Sequence, residues 1–391
     1  MLGDVSQVLP NVRELGIGVP DLAGLAGVGM AWDEQSAWTY AVAEALERYS
    51  SAVVPAARHR WAAAAELGGE ALDLATVPRC SERELSHPAC PVGAPDPGTP
   101  IRWIRGVSLT SLTPRWVPAV MAHIRFPRQG PGERFWLPVS SGCAAHPVVE
   151  QALVTAICEV VERDALALLW LQRLELPRLE LDANLPAVPR RRGRILVFDA
   201  TTDVGVPTLY AVDSAPDASE LATLVCGAAD LDPRRAAEKV LAEAVLYRLA
   251  MERPVAIPPD PDLFTQPVHG ALYMSHPARQ EAFGFLLDSP RRRRLSELPL
   301  LEAGSPVRNL ALLVERLRAL GMEAFAVDLT TDEARRAGMR VVRVLVPALQ
   351  PLTFRPRARY LAHPRLFAAP ARMGCTARPE EDLNPWPQPF G

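Results

Sequence analysis

The sequence predicts an α/β (α+β) chain in which strands and helices alternate throughout, and three observations carry this. Apolar residues recur at three- and four-residue steps over 34–50, 148–172 and 234–250, the period of helices with one face in a core. Short apolar runs read as strands: "IRWIRGVSL" and "WVPAVMAHI" within 101–122, "RILVFDA" (194–200), "PTLYAVDS" (207–214), "MEAFAVDLT" and "MRVVRVLVP" (339–347). Between them stand proline-rich connections; 39 prolines in 391 residues is about twice the ordinary share of roughly 5%.

In chain order, the first helix (34–50) places Trp38, Val42, Ala45, Leu46 and Tyr49 on one stripe. "HPACPVGAPDPGTP" (87–100) is an irregular connection leading into the strands of 101–122. The second helix (148–172) lines up Val149, Leu153, Ile157, Val160 and Val161. The third (234–250) opens on Asp232-Pro233, a cap followed by proline in the first turn. "RPVAIPPDPDLF" (253–264) is a second irregular connection, and a helix at 309–320 precedes the late strand pair. The tail "NPWPQPFG" (384–391) cannot be a helix and is expected to be extended, close to polyproline II.

Composition excludes several classes of function. With 49% hydrophobic residues the chain can bury a large core. A net charge of −3 argues against nucleic acid or an anionic membrane as partner. The N-terminus lacks the basic start and apolar run of a secretory signal, and no apolar stretch of about 18 residues could span a bilayer. None of the six cysteines form a Cys-x-x-Cys pair, so a cytoplasmic protein without a disulfide scaffold or structural zinc is expected.

"AVAEALERYS" (41–50) and "AICEVVERDA" (156–165) share the frame Ala-x-x-Glu-x-x-Glu-Arg. In each, the glutamates stand at i and i+3, Glu44/Glu47 and Glu159/Glu162, on one helix face. Arg48 and Arg163 follow directly. If the two helices pack close together, four carboxylates converge, which suits a hard divalent cation such as Mg²⁺. The adjacent arginines suit phosphate oxygens. A degraded third copy in "LAEAVLYRLA" (241–250) keeps Glu243 but has Leu246 and Tyr247 where the second glutamate and the arginine would be. A single triplet would be read as a solvated helix face; two in one frame favour a site. Ahead of the second copy, "LPVSSGCAAHP" runs small residues and glycine towards a helix start, a natural anion seat, with Ser140, Ser141 and the amides around Gly142 in reach. His146 could act as an acid or base, though a lone histidine beside proline is more often structural. Cys143 and Cys158 read as packing residues.

The stretch "LPVSSGCAAHPVVEQALVTAICEVVERDALALLWLQRLELPRLELD" (137–182) closely resembles the YcaO superfamily, and its continuation resembles the branch that forms azoline heterocycles in ribosomal peptides. "GVGMAWDEQSAWTYAVAEALERY", "CGAADLDPRRAAEKVLAEAV" and "AFAVDLTTDEARRAGMRVVRVLVPALQPL" resemble further family segments, and "PWPQP" (385–389) is similar to the Pro-x-Pro-x-Pro ending of its cyclodehydratases. The resemblance implies a YcaO-like fold, mixed sheets with helices converging on a central ATP/Mg²⁺ site. It implies one domain over 1–391, with subregions 1–136, 137–265 and 266–383 and the tail 384–391. Glu44, Glu47, Glu159, Glu162 and Glu243 would be Mg²⁺/ATP ligands. Arg48 and Arg163 would contact phosphate or lock those glutamates, and Arg359 and Arg365 would be the late arginine pair. The family pattern is broken at Tyr40, where serine is frequent, at Gln151, where glutamate is usual and Glu150 could substitute, and at Leu246, in place of glutamine.

The implied chemistry is ATP-dependent cyclodehydration of Cys, Ser or Thr in a precursor peptide to thiazoline or oxazoline. The side chain adds to the preceding amide carbon, ATP phosphorylates the amide oxygen, and phosphate leaves. The tail (Pro385, Pro387, Pro389 and Gly391) would reach the site, its terminal carboxylate being a candidate base. The first triplet helix starts too early to leave room for a fused module, so a separate E1-like, leader-binding partner protein is expected, and the family implies a homodimer. Thioamide or amidine formation, and an inactive scaffold, are the rival readings.

Overall fold

The computed structural model describes residues 2–4, 26–29, 34–183, 185, 193–215, 220–252 and 255–391. Residues 30–33, at the start of the first family-like segment, and 253–254, which open the second proline-rich connection, lie outside the described residues. The chain forms two compact units. Unit one comprises 1–77, 92–160 and 303–348; unit two comprises 78–91, 161–302 and 349–391.

Unit one is built on a six-stranded sheet. His59–Ala62, Ile101–Ser108, Phe325–Asp328, Arg340–Leu345 and Cys143–His146 follow one another across it, and Pro114–Pro118 pairs separately with Ile101–Ser108. All the pairings are antiparallel. The first long helix, Glu34–Ala52, buries Ala37, Ala41, Ala45, Leu46 and Tyr49. Ala45, Leu46 and Tyr49 of the expected stripe are buried, whereas at its start Ala37 and Ala41 face the core in place of Val42 and Trp38, which is 41% exposed. Two expectations change here. Ala119–Ala122, read as part of a strand, is a helical turn after Pro118. "CAAH" (143–146), read as the approach to a helix, is an edge strand paired with Arg340–Arg343.

The second long helix, Val149–Gln172, begins in unit one and ends in unit two. Ala152, Leu153, Ala156, Ile157 and Val161 are buried along it, and from Asp164 to Leu171 every residue is buried.

Unit two carries a five-stranded sheet in the order Thr223–Ala229, Thr208–Ser214, Arg194–Asp199, Arg178–Glu180, Arg292–Arg294. The last pair is parallel and the others antiparallel. Thr223–Ala229 has no sequence signal of alternation because all seven residues are buried. The third long helix, Pro233–Met251, is capped by Asp232, whose side chain accepts from Arg234 N–H. It packs Ala236, Val240, Leu241 and Ala244 against Leu209, Ala211, Cys226 and Ala228 of the sheet. A second core surrounds Trp170, Phe198, Tyr210, Phe283 and Leu366 and includes the tail residue Phe390. The expected helix at 309–320 is Pro306–Ala319 in unit one, with Ser305 as cap.

Candidate active site

In unit one, three acidic side chains named from the sequence come together. Glu44 and Glu47 stand one turn apart on the first helix. Glu44 accepts from the Val28 backbone N–H and pairs with Arg48 across one turn. Glu159, from the second helix, accepts from Gly142 N–H at 3.1 Å. Glu47 lies within electrostatic reach of both. Burial, then the charges of Glu159 and Glu44, push its carboxyl well above the usual carboxylate range, and Arg48 and Arg343 only partly offset them.

Gly142 is fixed by geometry: its φ is +85°, and an added Cβ would lie 2.4 Å from Val344 O and 2.6 Å from Val160 Cγ2. Its amide donates to the Glu159 carboxylate, so the group expected to face an exogenous anion is used within the chain. The helix start is separated from it by the strand 143–146. Ser140 is exposed and Ser141 half-buried. Glu150 is half-buried, and Gln151 reaches Thr155 at 3.5 Å along the helix surface. Tyr40 is 56% exposed. His146 Nδ1 accepts from Val148 N–H at 2.9 Å, the local structural use expected of it.

Sequence reading missed Arg343 in this unit. It is a fully buried cation in the strand Arg340–Leu345, donating to Val139 O at 2.7 Å and to Cys143 Sγ at 3.2 Å. Ser51 also donates to Cys143 Sγ. The available signal was a lone arginine inside the apolar strand "VVRVLV".

In unit two, Glu162 is buried and accepts from Ala229 N–H at 3.0 Å, with Arg163 at 3.5 Å. Glu243 is exposed on the third helix. Glu162 and Glu243 are both felt by the Cys226 thiol, whose pKa rises well above normal through burial first, then Glu243, Glu162 and Asp213.

The tail docks in the same unit. Asn384 N–H donates to Leu171 O at 2.8 Å, Arg359 Nη1 to Asn384 O at 2.6 Å, and Trp170 Nε1 to Trp386 O at 3.1 Å. Pro387, Pro389 and Phe390 are buried, Pro385 and Gly391 exposed. The Arg163 guanidinium lies 4.2 Å from the Phe390 ring centroid.

Of the late arginines, Arg359 anchors the tail; burial lowers its pKa, and its backbone N–H donates to Glu84. Arg365 is committed elsewhere. It grips Asp164 through two bonds of 2.6 Å and Asp203 at 2.8 Å, fully buried. That is a different use from the expected phosphate contact: two carboxylates already neutralise the guanidinium. Asp164, next to the triplet, had no role assigned from sequence.

The five glutamates offer oxygen donors of the kind Mg²⁺ prefers. Among the described residues no three metal-ligating side chains form a ready-made coordination group. Mg²⁺ does not need one, since it is commonly held by one or two carboxylates, waters and phosphate oxygens. Among the described residues no helix is long and apolar enough to cross a membrane, and all six cysteines are free.

Residues 28–350 match the family model described as YcaO cyclodehydratase, ATP- and Mg²⁺-binding. A curated relative from Rhizobium leguminosarum bv. trifolii, an uncharacterized protein in the tfuA 3′ region, is 26% identical over 82% of this chain and 76% of its own. A heterocyclase solved in complex with substrate and cofactor superposes with a TM-score of 0.78 at 23% identity, over 93% of this chain. The chain spans only about half of that heterocyclase, 49%. YcaO from Methanopyrus kandleri, bound with AMPPCP and Mg²⁺, superposes with a TM-score of 0.64 at 21% identity, over 83% of this chain and 78% of its own.

Proposed function

Since the chain belongs to the YcaO family, an ATP- and Mg²⁺-binding family, we propose that it closes Cys, Ser or Thr residues of a ribosomally made precursor peptide into thiazolines or oxazolines. The observation that carries this reading is the gathering of Glu44, Glu47 and Glu159 in unit one, where burial first and then the charges of Glu159 and Glu44 raise the Glu47 carboxyl. A fold that holds such a cluster has a cation to gain there.

In this reading Glu44, Glu47 and Glu159 in unit one, and separately Glu162 and Glu243 in unit two, are assigned to Mg²⁺ and the nucleotide. Val28 and Gly142 amides orient Glu44 and Glu159, as the Ala229 amide orients Glu162. Arg48 and Arg163, each paired with a glutamate of its own triplet, lock those carboxylates and share their charge with phosphate. Ser140, Ser141, Glu150 and Gln151 are assigned to the nucleotide, and Arg359 to tail placement. When bound, Mg·ATP supplies the phosphoryl group that turns the amide oxygen into a leaving group. The tail, seated through Pro387, Pro389 and Phe390, brings the Gly391 carboxylate to serve as base for the attacking side chain. A separate leader-binding partner delivers the peptide.

The test is a mass spectrum of precursor peptide incubated with this chain, partner, ATP and Mg²⁺. A loss of about 18 Da per ring is expected for dehydrative closure. Thioamide formation is the second reading, favoured by the relative that lies beside tfuA. It uses the same ATP chemistry with sulfide as nucleophile and would show a gain of about 16 Da. An unchanged peptide with no ATP hydrolysis would rule out both.

A further inference from the structure

The end of the tail is held more tightly than a flexible terminus requires. Gly391 sits against the side chain of Tyr247, on the third helix. A Cβ added to Gly391 would lie 1.9 Å from Tyr247 Oη, 2.9 Å from its Cζ and 3.1 Å from Ala271 Cβ. Ala271 is fully buried in the short helix Pro267–Ser275, so it cannot yield. The residue before it, Gly270, gives the matching contact one step back: a Cβ there would lie 2.3 Å from Gln388 O. Two glycines, one on each side, let tail and helix meet backbone to backbone.

Tyr247 has a second peculiarity. Its hydroxyl is buried and has no hydrogen-bond partner among the described residues, an arrangement that native interiors rarely tolerate. Burial drives its pKa far up, so it stays a neutral donor. It occupies the place that arginine holds in the two intact triplets.

We propose that Tyr247 is the positioning residue for the tail: it closes the tail's seat so that only glycine fits at position 391. In the proposed reaction, on which this role rests, the same contact fixes where the terminal carboxylate stands. Tyr247 touches no reacting atom; it acts through Gly391.

The experiment uses the full chain with its partner and precursor, and compares Gly391→Ala, Tyr247→Phe and the double variant by two readouts. The first is hydrogen–deuterium exchange of the Trp386 and Phe390 amides, which needs no reaction. Gly391→Ala should raise exchange at least fivefold. The double variant should exchange about threefold more slowly than Gly391→Ala yet faster than the parent, because loss of the hydroxyl removes the 1.9 Å contact while Cζ at 2.9 Å and Ala271 Cβ at 3.1 Å still crowd the added methyl. The Phe change removes no protein hydrogen bond, so its own effect on folding is small. The second readout is turnover, expected to fall at least tenfold in Gly391→Ala with the peptide KM unchanged, and to recover in part in the double variant. Exchange in Gly391→Ala within twofold of the parent, or a double variant no slower than Gly391→Ala, would overturn the seat. An inactive parent chain would sink the azoline reading instead, while exchange still decides the seat.

Discussion

Phe390, next to the last residue, stacks on Arg163, the arginine of the second triplet, with the guanidinium 4.2 Å from the ring centroid. The same guanidinium meets Glu162 and the tail. A cation–aromatic contact of this kind contributes about 0.5–2 kcal/mol, enough to hold a short segment whose extended prolines have little freedom to lose.

Replacing Phe390 by alanine should therefore release the tail and, because Phe390 belongs to the unit-two core, also lower stability by about 3 kcal/mol. Turnover is expected to fall at least tenfold at a temperature where the variant is still folded. An unchanged urea midpoint would mean that the tail is not part of the folding unit.

Glu47→Gln separates stability from activity. The folded-state pKa of Glu47 is raised, so without metal the folded state binds more protons than the unfolded one above the ordinary carboxylate range. Its contribution to stability is then present at low pH and lost as pH rises through the folded value. Gln keeps the shape and removes the repulsion. The metal-free variant should melt higher than the parent at pH 8, by roughly 1 kcal/mol, while peptide conversion falls at least a hundredfold. Equal melting at pH 8 would show that Glu47 is not crowded.

Unit one should be acid-sensitive for another reason. His59 and His123 share a hydrogen bond of 3.2 Å. Burial first, then the positive charge of Arg102 beside His59, lowers the His59 pKa to about 4. Burial, then His59, lowers that of His123 to about 3. Depressed histidines favour the folded state fully above the unfolded pKa of about 6.5, and that stability is lost as pH falls towards 4. His123→Gln should flatten the decline in denaturant midpoint between pH 6.5 and 4; an unchanged slope would contradict the assignment.

Arg365 tests the difference between a phosphate contact and a structural pair. Arg365→Met strands Asp164 and Asp203 in the interior and should cost about 3–5 kcal/mol in urea unfolding. If the variant instead folded normally and lost only ATP affinity, the expectation drawn from the sequence would stand.

The sequence by itself determined the element order, the three long helices and the acidic frame. Periodicity and the spacing of Glu44, Glu47, Glu159 and Glu162 are local properties, readable within one or two turns. It also determined the family, because the motif residues themselves carry that resemblance. Only the tertiary structure decided which amides orient the glutamates, that Gly142 serves Glu159, and that "CAAH" is an edge strand. It alone revealed the buried Arg343, the commitment of Arg365 to Asp164 and Asp203, and the seat of Gly391 against Tyr247. Each of these joins residues tens to hundreds of positions apart. Their chemistry depends on burial and partner, which no residue's own neighbourhood in the chain specifies.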